Sequence, residues 1–303
     1  MSTSPKVFVA GATGLLGSQI ISALLDRGAP VRALVRPGAD ADKKTALTAL
    51  RSHGHLEVVE GDVTDPAEAL AEAVGDAATV ISAVQGGPEV IVDGQANLAR
   101  AAAKAGARRF VPSDFAIDVT KLEDGDNIMI DWRRRAAAEY AHAGLEVVSV
   151  LNGAFYDVMV GFMGLVDWDR GTLSHWGDPD QPLDLTSVPD TAAYTAAVAL
   201  DPKATGTMRF AGEVLSMRQF HEAVQRGSGR TLELRHLGTA DELRAEIERQ
   251  AARTQNPFDY VALQYQWCMV TGKAKFDALD NDRYPHITPT SVTDFVRAAA
   301  PTA

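Results

Sequence analysis

Gly11, Gly14 and Gly17 stand three residues apart between an apolar run, Lys6-Val7-Phe8-Val9-Ala10, and a segment with Leu16, Ile20 and Leu24 at spacing four. Glycines so placed let a chain turn tightly and let its backbone approach an anion, while free N–H groups at a helix start attract phosphate. Between a strand and a helix, this spacing reads as a cradle for the pyrophosphate of a dinucleotide, with Gly11, Thr13, Gly14, Leu15, Leu16 and Gly17 against it. Arg36 closes the next apolar run, Val31 to Val35, at a place where an NAD site would carry Asp or Glu. A guanidinium binds a 2′-phosphate with two parallel hydrogen bonds, and Lys43 or Lys44 adds a second cation, so NADPH/NADP is the expected cofactor.

Strands and helices must hold those groups in place. Leu56–Glu60 reads as a third strand, Ala78–Val84 as a fourth entering Gln85-Gly86-Gly87-Pro88, and Asp93–Ala105 as an alanine-rich helix. Strand and helix signals alternate up to about Val150, which predicts an α/β chain with a parallel sheet wound on both faces. Ligands of such sheets lie beyond the carboxyl ends of the strands. Asp62 is therefore expected at the adenine edge, although capping the helix after Pro66 suits it as well, and Ala83, Val84 and Gln85 are expected along the ribose and pyrophosphate.

Composition narrows the partners. The chain has 303 residues, 46% of them apolar, enough for a sizeable core. A formal net charge of −11 argues against nucleic acid or an anionic membrane as the main partner, so the phosphates of a cofactor must be met locally. The single cysteine, Cys268, rules out an internal disulfide and a cysteine-rich metal site; no metal is expected, and a cytoplasmic setting fits. No apolar run reaches membrane-spanning length, and no signal peptide is read. Tyr156, Met159, Phe162 and Met163, with Trp176, Trp267 and Met269 farther on, suggest a chamber for a small, flat hydrophobic or aromatic substrate, though each alone suits plain packing. His175, read as a loop residue, could titrate near neutrality. Asp241–Thr254 reads as an exposed amphipathic helix that could cover the cleft.

The glycine motif combined with Arg109-Phe110-Val111-Pro112-Ser113-Asp114-Phe115 resembles the NmrA-like and isoflavone reductase-like family of atypical short-chain dehydrogenases/reductases. The resemblance continues through Asn152-Gly153-Ala154-Phe155, Val188-Pro189-Asp190-Thr191-Ala192 and Tyr284-Pro285-His286-Ile287-Thr288-Pro289-Thr290. It implies a Rossmann-type NADP-binding domain over residues 1–153. It also implies a smaller C-terminal α/β region for substrate over 154–303, with some segments returning to the sheet. It further implies that Ser113, Phe115, Asn152, Gly153 and Phe155 lie along the cofactor. Reductases of the family carry a lysine on the helix after the Pro-Ser-Asp-Phe loop. Ungapped register from Gly144 puts Arg133 there, and no lysine occurs between Lys121 and Lys203.

Arginine stays protonated and cannot serve as a general base. Arg133 can hold the nicotinamide end or stabilise an oxyanion, and in the absence of any Tyr-x-x-x-Lys motif the proton donor is Tyr156 or water. Two functions follow from the resemblance: a reductase passing hydride from NADPH to an aromatic, enone, quinone-like or benzylic ether substrate, or a non-catalytic NADP(H)-sensing regulator that binds a protein partner. Monomer and homodimer remain equally open.

Overall fold

The computed structural model describes residues 4–161 and 163–299. By contacts the chain divides into two compact units, Met1–Phe115 with Trp132–Val150 and Thr191–Met208, and Ala116–Asp131 with Leu151–Asp190 and Arg209–Ala303.

The first unit is built on strands β1 (Val7–Ala10), β2 (Val31–Val35), β3 (Leu56–Glu60), β4 (Thr79–Ser82), β5 (Arg109–Val111) and β6 (Glu146–Leu151). Each neighbouring pair of these six runs parallel. With β11 (Gly206–Arg209) at one edge, the order across the sheet is β11-β6-β5-β4-β1-β2-β3. The sheet reverses direction of growth between β1 and β4, the crevice where ligands of open α/β sheets bind. β1 and β4 are buried along their whole lengths, as strands covered on both faces must be. Helices α1 (Leu15–Leu25), α2 (Ala41–Ala49), α3 (Ala67–Val74), α4 (Gln95–Lys104), α5 (Ile128–Tyr140) and α7 (Val188–Leu200) connect the strands, α6 (Tyr156–Val160) lying outside this set.

Two details differ from the reading of the sequence. The fourth strand stops at Ser82, two residues short of Val84, and the expected helix from Asp93 is in part a π-helical turn, Glu89–Gly94, that runs into α4. Arg109 supplies an anchor that periodicity does not reveal. Its side chain is fully buried and donates to the carbonyls of Val198 and Asp201 at 2.7 Å and of Ala204 at 3.0 Å, with Glu146 at 3.1 Å. A buried guanidinium thus closes the carboxyl end of α7, whose last carbonyls lack helical partners.

The second unit holds two small sheets, β12-β10-β7 and β13-β9-β8, formed by β7 (Ala154–Phe155), β8 (Val166–Asp167), β9 (Thr172–His175), β10 (Pro182–Thr186), β12 (Glu213–Ser216) and β13 (Glu233–His236). Around them lie α6, α8 (Met217–Ser228), α9 (Ala240–Ala251), α10 (Val261–Val270) and α11 (Val292–Ala299). Ser216 and Thr239 each form a capping box with the residue three places on, which fixes where α8 and α9 begin. Among the described residues, no helix is long and apolar enough to cross a membrane.

Candidate functional site

The turn after β1 is shaped by close backbone packing. Gly11 has φ +81°, and a Cβ there would run into the Ala83 carbonyl; a Cβ on Gly17 would run into that of Gly11. Neither position admits a side chain. Gly14 differs, because its φ is −75° and a Cβ would sit 3.1 Å from the Gly11 oxygen, tight but with space on its outer side. It is the N-cap of α1, no side chain caps that end, and Leu15 beside it is 68% exposed. The opening of α1 therefore offers its first amides to an outside acceptor, which fits a pyrophosphate.

Arg36 is exposed just past β2, where it can meet a phosphate. Lys44, half-buried, lines with Val35, Leu47, Thr48, Val58, Val59 and Glu60 a cleft of about 220 Å³ under α2. Lys43 is exposed in the first turn of the same helix, whose N-cap Asp40 accepts its N–H. The Asp62 carboxylate accepts from the Thr64 amide at 2.9 Å and hydroxyl at 2.8 Å, so it closes its own turn. Ala83 and Val84 are half-buried and Gln85 is exposed at the exit of β4.

Ser113 is the centre of a small network. Its amide donates to Gln95 Oε1 at 2.7 Å, its hydroxyl to the Val84 carbonyl at 2.8 Å, and its carbonyl accepts from Arg133 Nε at 2.9 Å. Of the arginine run on α5, Arg135 is exposed, whereas Arg133 is half-buried and turned to the Pro-Ser-Asp-Phe loop. Asp114 is buried in the same loop. It accepts the Ser149 hydroxyl at 2.8 Å, and burial pushes its carboxyl up against the lowering effects of Ser149 and Arg133. Burial also raises the Tyr140 phenol, with Asp114 acting in the same direction. Phe115 is buried at the end of the loop. Gln95, fully buried, escaped the sequence reading; the one available signal was an amide side chain at the head of an otherwise alanine-rich helix.

In the second unit Asn152 is fully buried, and neither atom of its carboxamide has a partner among the described residues. Gly153 has φ +69° and lies against the Asp184 carbonyl, so close packing on β10 by itself demands glycine. Phe155, half-buried, ends β7.

Tyr156, the candidate proton donor, is anchored by its hydroxyl. It is wholly buried, its hydroxyl donates to the Thr290 carbonyl, and its ring meets Phe295 edge-on at 5.2 Å. Burial raises its pKa, and Asp190 adds to the rise. Asp190 in turn accepts the Thr290 amide at 2.9 Å and the Ser187 hydroxyl at 2.6 Å. The Val-Pro-Asp and Thr-Pro-Thr segments are thereby joined through one peptide.

Met159 belongs to the same buried core, with Met163 packed partly against it. Phe162 falls outside the described residues. Trp267 is likewise engaged: Arg244 and Lys273 lie over its ring at 4.9 and 5.0 Å, and both face Asp126. The helix read as Asp241–Thr254 is α9, and its Arg244 makes that contact with α10. His175 lies in β9 and not in a loop; it is buried opposite His236 on β13, ring centroids 5.1 Å apart. Burial lowers its pKa, His236 and Arg218 lower it further, and the Trp176 carbonyl and Asp178 oppose them. His175, Trp176, Gln266 and Met269 line a shallow recess with Leu165, Leu183 and Met217. Among the described residues, no cluster of three metal-ligating side chains occurs.

The strand order and the glycine turn between β1 and α1 define a Rossmann-type α/β fold. The NmrA-like family matches residues 3–280, and the chain belongs to that family. It is 26% identical to a bifunctional pinoresinol-lariciresinol reductase of Linum album, over 98% of this chain and 94% of that protein. It is also 26% identical to isoflavone reductase homolog P3 of Arabidopsis thaliana, over 96% of this chain and 97% of that protein. The fold is similar to that of the leucoanthocyanidin reductase–NADPH binary complex from Vitis vinifera, with a TM-score of 0.82 at 22% identity, covering 96% of this chain and 98% of that one.

Proposed function

We propose that this protein is an NADPH-dependent reductase that passes hydride to a small aromatic acceptor of the enone, quinone-like or benzylic ether kind. The observation that carries the reading is the pairing of an uncapped glycine turn at the start of α1 with an exposed arginine at the end of β2. The relatives support it, since those named above are reductases of aromatic compounds and one is described with NADPH. A regulator without turnover draws no support from them.

Bound reduced nicotinamide supplies the hydride. The first amides of α1 hold the pyrophosphate, and Arg36, with Lys44, holds the 2′-phosphate. Arg133, fixed through Ser113, presents a permanent cation that stabilises negative charge developing on the acceptor oxygen. The proton that completes the reduction comes from water, because arginine cannot give it up and the Tyr156 hydroxyl is committed to Thr290. NADPH should bind more tightly than NADH by on the order of 1.5–3 kcal/mol, the value of one charge-assisted contact. Arg36→Asp should erase or invert that preference in a fluorescence titration; an unchanged ratio of the two affinities would contradict the placement of the phosphate.

A further inference from the structure

In the first unit the Gln95 side chain is fully buried and bonds two backbone segments, the π-helical turn before α4 and the loop after β5. The π-helical turn explains its first bond. The Gln95 amide passes over Ile91 and donates to Val90 and Val92, and the side-chain Nε2 takes the Ile91 carbonyl at 2.9 Å. This fixes the orientation of the carboxamide, because a donor committed to Ile91 leaves Oε1 facing the other way. Oε1 accepts the Ser113 amide at 2.7 Å. The Ser113 carbonyl, on the far side of that residue, receives Arg133 Nε, and its hydroxyl reaches Val84 beside Gln85.

We propose that Gln95 is a positioning residue of the cofactor site, acting through the Ser113 backbone on the Arg133 guanidinium. The inference rests on the function proposed above and deepens it. Without Gln95 the buried Ser113 amide loses its acceptor, and the loop can recover one only by turning the peptide, which moves the carbonyl that holds Arg133. Buried polar groups joined in this way act as a unit, so their contributions are not additive.

The test is a double-mutant cycle of Gln95→Met and Arg133→Ala, read on the NADPH dissociation constant by fluorescence titration and on turnover. Methionine keeps the length of the side chain and removes both hydrogen bonds. Gln95→Met should weaken NADPH binding or slow turnover about tenfold in the wild-type background. It should change little once Arg133 is alanine. Gln95→Glu, whose fully buried carboxyl stays protonated, keeps an acceptor for the Ser113 amide and an O–H donor for the Ile91 carbonyl, and should restore most of the loss. Should Gln95→Met fail to fold, Gln95→Asn, polar but too short to reach Ser113, enters the same cycle. Equal loss in both Arg133 backgrounds, or no rescue by glutamate, would overturn the inference while leaving the proposed function standing. A wild-type protein that bound no NADPH would overturn both.

Discussion

Arg133 carries a charge that no working pH removes, and this separates what it can do from what a lysine at that place could do. Its Nε bond to the Ser113 carbonyl leaves a planar cation held against the loop after β5. Arg133→Lys is expected to keep NADPH affinity within about threefold, since a cation remains. Arg133→Ala should lower kcat by about a hundredfold, the usual scale for one donor to a developing oxyanion. No limb of the wild-type pH–rate profile should vanish in Arg133→Lys, because the arginine it replaces titrates at no working pH; normal turnover by Arg133→Ala would place the side chain outside the site. At this scale the sequence was legible wherever chemistry demands a residue type. The three glycines of the turn after β1 declare themselves, and so does the absence of lysine. Ser113 and Gln95 were harder to read, because a serine that works through its backbone and an amide buried in an alanine helix carry no pattern of their own.

Helices and strands followed periodicity closely where burial is complete or nearly so, as in β1 and β2. They departed where a side chain or a turn overrides it. The π-turn before α4 follows Pro88 and is spanned by the bond from Gln95 to the Ile91 carbonyl, neither of which hydrophobic spacing can signal. In sequence His175 reads as a loop residue because β9 is only four residues long and gains its strand character from pairing with β13, remote in sequence. The segments around Asp190 and Thr290 make sense only together, as two ends of a hydrogen-bonded lock closed by Tyr156. Removing the hydroxyl leaves one carbonyl without its donor but keeps the ring on Phe295. Tyr156→Phe should therefore cost about 1–2 kcal/mol in urea unfolding and leave kcat nearly unchanged. A large fall in kcat at unchanged stability would return Tyr156 to the role of proton donor.

The whole molecule carries a net charge of −11, so attraction for an anionic cofactor has to be created by a few local groups working against the general field. Its stability should also depend on pH through His175. Burial disfavours the protonated imidazole in the folded state, so its pKa is lowered from the ordinary value. The unfolded chain takes up the proton first as pH falls below about 6.5, so stability is retained above that value and lost below it. The urea midpoint should fall between about pH 7 and about pH 5, and less so in His175→Gln; an equal fall in both proteins would assign the effect elsewhere. The division into two units that each draw on several stretches of chain was only partly foreseeable, because long-range contacts decide it. The central claim is reduction at the expense of NADPH. Its most direct measurement is the loss of reduced-nicotinamide absorbance when the protein is mixed with NADPH and a panel of quinones, aromatic enones and benzylic ethers. Turnover is expected with at least one acceptor class, faster with NADPH than with NADH and slowed by Arg36→Asp. A protein that binds NADPH tightly yet oxidises it with no member of the panel would contradict it.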